Sequence, residues 1–444
     1  VSTLTVDQSI DTTYTGFIRD HSGASGQFAL VKTGSGLLDL SGAQASQNYS
    51  GGLTVNGGTL GFAAAANVGT GTITLGGGAL RYTPTGTTAI TLANASVVLT
   101  TATTSTIETT DAGGSLTASG VLSGAGILVK SGAGKLTLSN ALNSYSGGTS
   151  ISAGTLNFGS LTALGSGSVT FTGSASLQAG VSGTLTNNLV INNGFTGTFD
   201  TQASSVTASG IISGSGMLTK TGAGTLTLSN AANNHSGGMT INAGVVNYGQ
   251  LTAIGTGTVT FSLNATLQAG IAGDLTNAIA LDTGVTGIFD TQTNNVTLSG
   301  NITGQGQLLK KGAGILYLSG AGNTFSGGLV IENASTNIVG PTAYGVVLLA
   351  DNAAGTGPLT IGNASTSSAR FSLNGYDQTV SALSSGSVGV RVLEANGTTG
   401  GTVSTLTVNQ SIDTTYTGFL RDQNSGGGML ALIKTGGGLL DLSG

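Results

Sequence analysis

Cysteine and tryptophan are absent from this 444-residue chain, and proline occurs only three times. Without cysteine there are no disulfides and no thiolate metal sites. Such a chain is compatible with passage through an oxidising compartment. Charged residues make up 7% of the sequence, against roughly 25% in ordinary soluble domains. The net charge is −5 and the few Lys and Arg do not cluster. Nucleic-acid binding is therefore disfavoured, because neutralising a phosphate backbone takes several grouped cations. No apolar run approaches the length of about 18 residues that a membrane-spanning helix needs. A charged-then-apolar leader is also missing. With three prolines against 78 glycines, the chain is neither collagen nor a proline-rich disordered segment. Low charge combined with 38% hydrophobic residues argues for a packed structure.

What the chain does have is repetition. VSTLTVDQSIDTTYTGFIRD at residue 1 returns as VSTLTVNQSIDTTYTGFLRD at residue 403, and ALVKTGSGLLDLSG returns as ALIKTGGGLLDLSG. Residues 1–402 form one long repeat and residues 403–444 open the next copy. Self-similarity of this kind marks a tandem array. A shorter unit lies inside it, at residues 122–159, 212–249 and 302–334. Lys32, Lys130, Lys220, Lys310 and Lys434 mark one recurring position, at steps of 98, 90, 90 and 124 residues. Internal units therefore lie near 32–129, 130–219, 220–309 and 310–433. The chain stops inside a motif, so the expectation is an open-ended piece of an array.

Within each unit, short alternating runs sit between glycine-rich turns. Leu136 and Leu138 flank Thr137; Leu226 and Leu228 flank Thr227; Leu316 and Leu318 flank Tyr317; Leu38 and Leu40 flank Asp39. Alternation over three residues reads as strand, with leucine inward and the middle residue outward. Glycine pairs such as Gly147–Gly148, Gly237–Gly238 and Gly327–Gly328 suit sharp corners. Closed β-folds do not extend by tandem copying, whereas a solenoid does, because each turn touches only its neighbours. The reading is an all-β, right-handed parallel β-helix, continuous over residues 1–444, with turns of roughly 20–25 residues. At about 4.8 Å per turn, one long repeat rises on the order of 80–100 Å, and residues 403–444 are expected to superimpose on residues 1–42 after that translation.

The residues that carry chemistry elsewhere do not assemble into a site here. His21 becomes Gln423 in the second long repeat, and His235 becomes Tyr145 and Phe325 in sister units. Residues that vary among copies read as turn packing, not as a base or a metal ligand. SGAGK at residues 131–135 lacks the spacing and the Ser or Thr of a phosphate loop, and Lys135 becomes Thr225 and Ile315. Calcium nonapeptides are absent. The acids are scattered, without the paired carboxylates a glycoside hydrolase needs. Thr225–Thr227 and Thr258–Thr260 are too irregularly repeated for a flat threonine ladder. No catalytic, cofactor-binding or metal-binding residue is assigned. One charge pattern recurs: Asp11 and Lys32, Glu108 and Lys130, Asp200 and Lys220, Asp290 and Lys310, Asp413 and Lys434, at separations of 20–22 residues. Two readings stand: an ion pair between neighbouring turns that fixes register, or a corner lysine that donates to backbone carbonyls.

LTKTGAGTLTLSNAANNHSGGMTINAG, around Lys220, resembles the autotransporter-associated β-strand repeat, also called the passenger-associated transport repeat. Leu218, Lys220, Gly222, Gly224, Leu226, Leu228, Ser229, Gly237, Gly238, Ile241 and Gly244 match its pattern; Tyr145 fills the aromatic position that His235 and Phe325 fill in sister units. SLNGYDQTVSALSSGSV, from Ser372, also looks like a segment common in such passengers. The resemblance implies a right-handed parallel β-helix exported to a bacterial surface. Two functions follow as expectations. One is a structural extracellular or cell-surface fibre. The other is the rigid stalk of an autotransporter-like adhesin. The expected partners are further copies of the repeat, by covalent continuation or by end-to-end and lateral packing.

Overall fold

The computed structural model describes residues 1–443 except 22–25, 44–46, 85, 333–344, 363–367, 387–389, 397–401 and 423–426. Among the described residues there is no α-helix, and the one helical segment is the short 3-10 turn Ala65–Val68. The remaining regular structure is strand, two to seven residues at a time. By contact density the chain divides into two compact units, Val1–Gly224 with Asn234–Ser236, and Thr225–Asn233 with Gly237–Gly444.

Each unit is a parallel β-solenoid. In the first, Leu30 pairs with Leu53, Leu53 with Ile73, Ile73 with Val97 and Val97 with Leu122, so one apolar column climbs a sheet. A second column runs Ile90, Leu116, Leu136, Leu156, Leu177 and Phe199, and reaches Lys220. In the second unit the equivalent column is Leu226, Val246, Leu267, Phe289, Lys310, Ile331 and Ile361. Another runs Val296, Leu316, Val346, Phe371, Leu393 and Leu420. These columns are the core. Parallel pairing demands a crossover between neighbours, and here the rest of the turn supplies it.

Turn length varies more widely than expected. Leu53 and Ile73 are twenty residues apart, Leu4 and Leu30 are twenty-six, and Leu329 and Leu359 are thirty. The paired strands keep their parallel register at each of these spacings. The two copies of the long-repeat opening share their local fold. Thr12 pairs with Leu38 as Thr414 pairs with Leu440. The Leu37 amide donates to Asp11 at 2.8 Å and the Leu439 amide to Asp413 at 2.7 Å.

The alternation explains the strands. Leu136, Leu138, Leu226, Leu228, Leu316 and Leu318 are fully buried, while Thr137, Thr227 and Tyr317 between them are half-buried on the outer face. Burying one such leucine stabilises by roughly 1.5–3 kcal/mol. Leu228→Ala is therefore expected to cost about 2–4 kcal/mol, because rigid neighbouring turns cannot collapse into the hole. Thr227→Ala, one residue away on the outer face, is expected to stay within about 0.5 kcal/mol. Urea unfolding of the two variants checks this; equal losses would mean that the inward and outward faces are misassigned.

Candidate functional site: the lysine corner of the repeat

The motif that recurs most faithfully builds a corner. Lys32, Lys130, Lys220 and Lys310 are buried with no measurable side-chain exposure, although lysine is the residue least often found there. Each sits at an inward position of its strand, and the strand ends within one residue of it: Phe28–Thr33, Ile127–Ser131, Met217–Thr221, Gln307–Lys311. The side chain curls round the end of its own strand. The Lys130 ammonium donates to the carbonyls of Ser131 at 2.7 Å, Gly132 at 2.8 Å and Ala153 at 3.1 Å. Lys32 donates to Thr33, to Gly34 at 2.9 Å and, one turn on, to Gly57 at 3.4 Å. Lys220 reaches Thr221 and Gly222, both at 2.8 Å, and Lys310 reaches Gly312. Lys434, exposed, keeps the two local bonds, to Thr435 at 2.6 Å and Gly436 at 3.0 Å. The third carbonyl at Lys32 and Lys130 belongs to the following turn, so one ammonium ties two turns together.

Glycine two residues after the lysine makes this possible. Gly34, Gly132, Gly222, Gly312 and Gly436 all have φ between 68° and 84°. In that left-handed region the chain reverses and aims the carbonyl back at the ammonium, and side chains other than glycine enter it at a cost.

Of the two readings of the recurring acid and lysine, the carbonyl one holds. Among the described residues the ion pairs join Arg81 to Glu108, Lys311 to Glu332, and Glu394 to Arg370 and Arg421; Lys32 and Lys130 make none. Register is the reason. Ile107, Phe199 and Phe289, not the acids that follow them, lie opposite the lysines. One step along a strand reverses the face, so lysine points in where the acid points out. At Lys32 the opposing residue is Val6, which makes the neighbouring acid Asp7; Asp11 instead accepts the Leu37 amide. The acids act at a distance. Burial pushes Lys130 and Lys220 down to about 8 and Lys310 to about 7, and Glu108, Asp200 and Asp290 oppose that fall.

A second buried polar column was missed in the sequence. Asn143 accepts the Leu122 amide at 2.8 Å and donates to the Ala163 carbonyl at 2.8 Å, bridging the turns on either side. Asn323 does the same between Ile302 and Ala353, and Asn233 donates to Ala253 at 2.8 Å. Asn94, Asn187 and Asn277 cap glycine carbonyls at other corners. A signal existed: Asn143, Asn233 and Asn323 each follow their lysine by thirteen residues.

The histidines separate. His21 is exposed in a polar groove with Arg19, Asp20 and Asn48. Its counterpart Gln423 lies outside the described residues. Asp20 is engaged, accepting from the Ser50 hydroxyl and the Phe28 amide, which hold its carboxyl below the usual range. His235 is fully buried at the aromatic position, and neither ring nitrogen makes a well-formed hydrogen bond. Burial pushes it down to about 4, and the Ile212 backbone offsets this only in part. In the unfolded chain it takes up a proton near 6.5, so stability is full above that pH and is lost as pH falls toward 4. The expected loss is roughly 2–3 kcal/mol between pH 7 and 4.5. His235→Phe, the residue a sister unit carries, is expected to remove that part of the acid sensitivity; identical pH profiles for the two proteins would contradict it. Lys135 lies on the strand Lys135–Leu138, paired on both sides, where nothing can cradle a phosphate. No group of three or more His, Asp or Glu among the described residues could hold a metal ion.

Set beside known proteins, four segments match the family model of the passenger-associated transport repeat: residues 30–61, 128–158, 218–247 and 308–334. Each begins just before a corner lysine and runs past the two strands that follow it. Together the four segments span about a quarter of the chain. A 158-residue stretch is 40% identical to the adhesin BmaC autotransporter of Brucella suis biovar 1. That match spans 32% of this chain and 4% of the relative's length. No solved structure matches the chain.

Proposed function

We propose that this chain, four segments of which match the passenger-associated transport repeat, is part of the surface-exposed passenger of an autotransporter-like adhesin. It works there as a rigid stalk without enzymatic activity. What carries this reading is the lysine corner. The unusual buried chemistry of the repeat is spent on joining successive turns, and none of it is presented to a substrate. The relative named an adhesin supports the assignment to a secreted or cell-surface protein. No helix among the described residues is long and apolar enough to cross a membrane.

A tandem fibre is the second reading. The near-identical return of residues 1–42 at 403–444 favours it, because a stalk of fixed length has no need of a long-period copy. On either reading further copies of the repeat are the neighbours along the chain.

The test uses the full-length protein in its own cell, with an epitope inserted in an outer loop of the repeat region. Immunogold labelling of intact cells is expected to place the epitope outside the outer surface. Deleting residues 130–309, two 90-residue units, is expected to shorten the stand-off of distal epitopes by about 40 Å, from roughly eight turns of 4.8 Å. Labelling only after lysis, or an unchanged stand-off, would overturn the stalk.

A further inference from the structure

The two central 90-residue units agree inside and differ outside. Inward, Leu156, Leu177, Phe199 and Leu218 of the first correspond to Val246, Leu267, Phe289 and Leu308 of the second. Outward, on the neighbouring positions of the same strands, the first unit carries Thr155, Ser176, Thr198 and Thr219, stacked one on the next. The second carries Val245, Thr266, Ile288 and Leu309, and the column continues to Val330. All five are half-buried side chains on the outer face of one sheet. Three of four hydroxyl positions have thus become aliphatic, Thr266 being the exception, so that four of five successive rungs along a stripe about 19 Å long are aliphatic. Packing within the solenoid does not ask for this, because the first unit builds the same strands with threonine.

We propose that this stripe is a lateral docking surface for a second copy of the same chain, lying parallel to the first, sheet face on sheet face. The inference rests on the stalk reading and deepens it by naming the partner and the contact. The occupant follows from spacing and charge. Ile288, Leu309 and Val330 are aliphatic knobs on consecutive rungs about 4.8 Å apart, matched rung for rung by another solenoid of the same rise, and face-to-face sheets interdigitate such knobs at about 10 Å. No charge lies within the stripe. In the flanking column stand Asp290 and Lys311, the latter 3.5 Å from Glu332. A two-fold axis along the solenoid sets Asp290 of one copy against the Thr286 side of the other, and Lys311 against the Gln307 side. The antiparallel alternative would face Asp290 with Asp290. Like charges directly opposed are unfavourable, so the parallel pair is selected. It is also the pair that neighbouring stalks on one surface can form.

The experiment uses the 444-residue chain. Sedimentation is expected to show a concentration-dependent dimer. The triple variant Val245→Thr, Ile288→Thr, Leu309→Thr, which installs the hydroxyl pattern that the first unit already folds with, is expected to weaken it at least tenfold with an unchanged unfolding curve. Because the chain has no cysteine, single Ile288→Cys and Leu309→Cys variants can be joined with a short bis-maleimide. Both are expected to give covalent dimers, and Ser176→Cys and Thr198→Cys are not. A wild type that stays monomeric, or a dimer indifferent to the triple variant, overturns the proposal. Cross-linking at Ile288 but not at Leu309 overturns the parallel arrangement. A folded monomer displayed normally on cells would leave the stalk reading standing while this one fails.

Discussion

Lys130→Ala is expected to destabilise the first unit by roughly 3–5 kcal/mol, more than most core leucine truncations. The substitution strands three carbonyls, those of Ser131, Gly132 and Ala153, that now share one ammonium. Leaving a buried polar group without a partner costs roughly 1–3 kcal/mol, and the aliphatic stem also leaves a hole. Lys130→Met separates the two contributions. It fills the column between Ile107 and Ile151 but supplies no donor, so it is expected to recover part of the loss and no more. The opposite result, a methionine variant as stable as wild type, would mean that the lysine serves as a hydrocarbon spacer. Its ammonium would then be no clasp.

Gly132→Ala is expected to cost a comparable amount, about 3–5 kcal/mol, from the other side of the same corner. Gly132 has φ of 73°, a conformation that charges an L-residue roughly 1–3 kcal/mol. An added methyl would also stand 2.2 Å from the carbonyl oxygen of Thr109 on the preceding turn. That neighbour is backbone, so relief requires the turns to part, and overpacking adds its own roughly 1–3 kcal/mol. Gly194 makes the control. Its φ is 81°, but nothing lies within 4 Å of an added methyl. Gly194→Ala is expected to lose only the conformational part, about 1 kcal/mol. Chemical denaturation of the two glycine variants reads the difference, and equal losses would show that close approach of turns plays no part.

Much of the fold was legible because a solenoid writes itself into sequence as periodicity. Leucines flanking a polar residue settled which face of each strand turns inward, and Leu136, Leu228 and Leu318 lie buried as that pattern requires. Turn length was legible only where the inter-strand loops are short. The thirty-residue step from Leu329 to Leu359 has no counterpart in the 90-residue units, and strand alternation does not set the spacing from one strand to its partner. The corner was half legible. Spacing marked the lysine and an acid about one turn apart, and electrostatic habit suggested pairing them. Counting parity from Leu218 to Lys220 already placed the lysine inside, and the structure follows parity. Asn143 and its counterparts escaped notice because an asparagine inside a turn reads as exposed. Only the folded corner shows its amide facing two backbones at once. The outward aliphatic stripe was invisible for a related reason. Val245, Ile288 and Leu309 become one surface only when register stacks strands about twenty residues apart.

The parallel register of successive turns underlies the whole account, and a disulfide scan in this cysteine-free chain measures it most directly. Thr170 and Val190 are outward residues placed opposite each other on neighbouring turns. Paired Cα atoms in a sheet lie about 4.8 Å apart, within the range a disulfide spans. Thr170→Cys with Val190→Cys is expected to oxidise fully within one chain, leaving stability unchanged or raised. Thr170→Cys with Asn192→Cys, two residues out of register and therefore about 8 Å apart, is expected to remain reduced under the same conditions. Preferential closure of the second pair, or of neither, would contradict the parallel solenoid and everything derived from it.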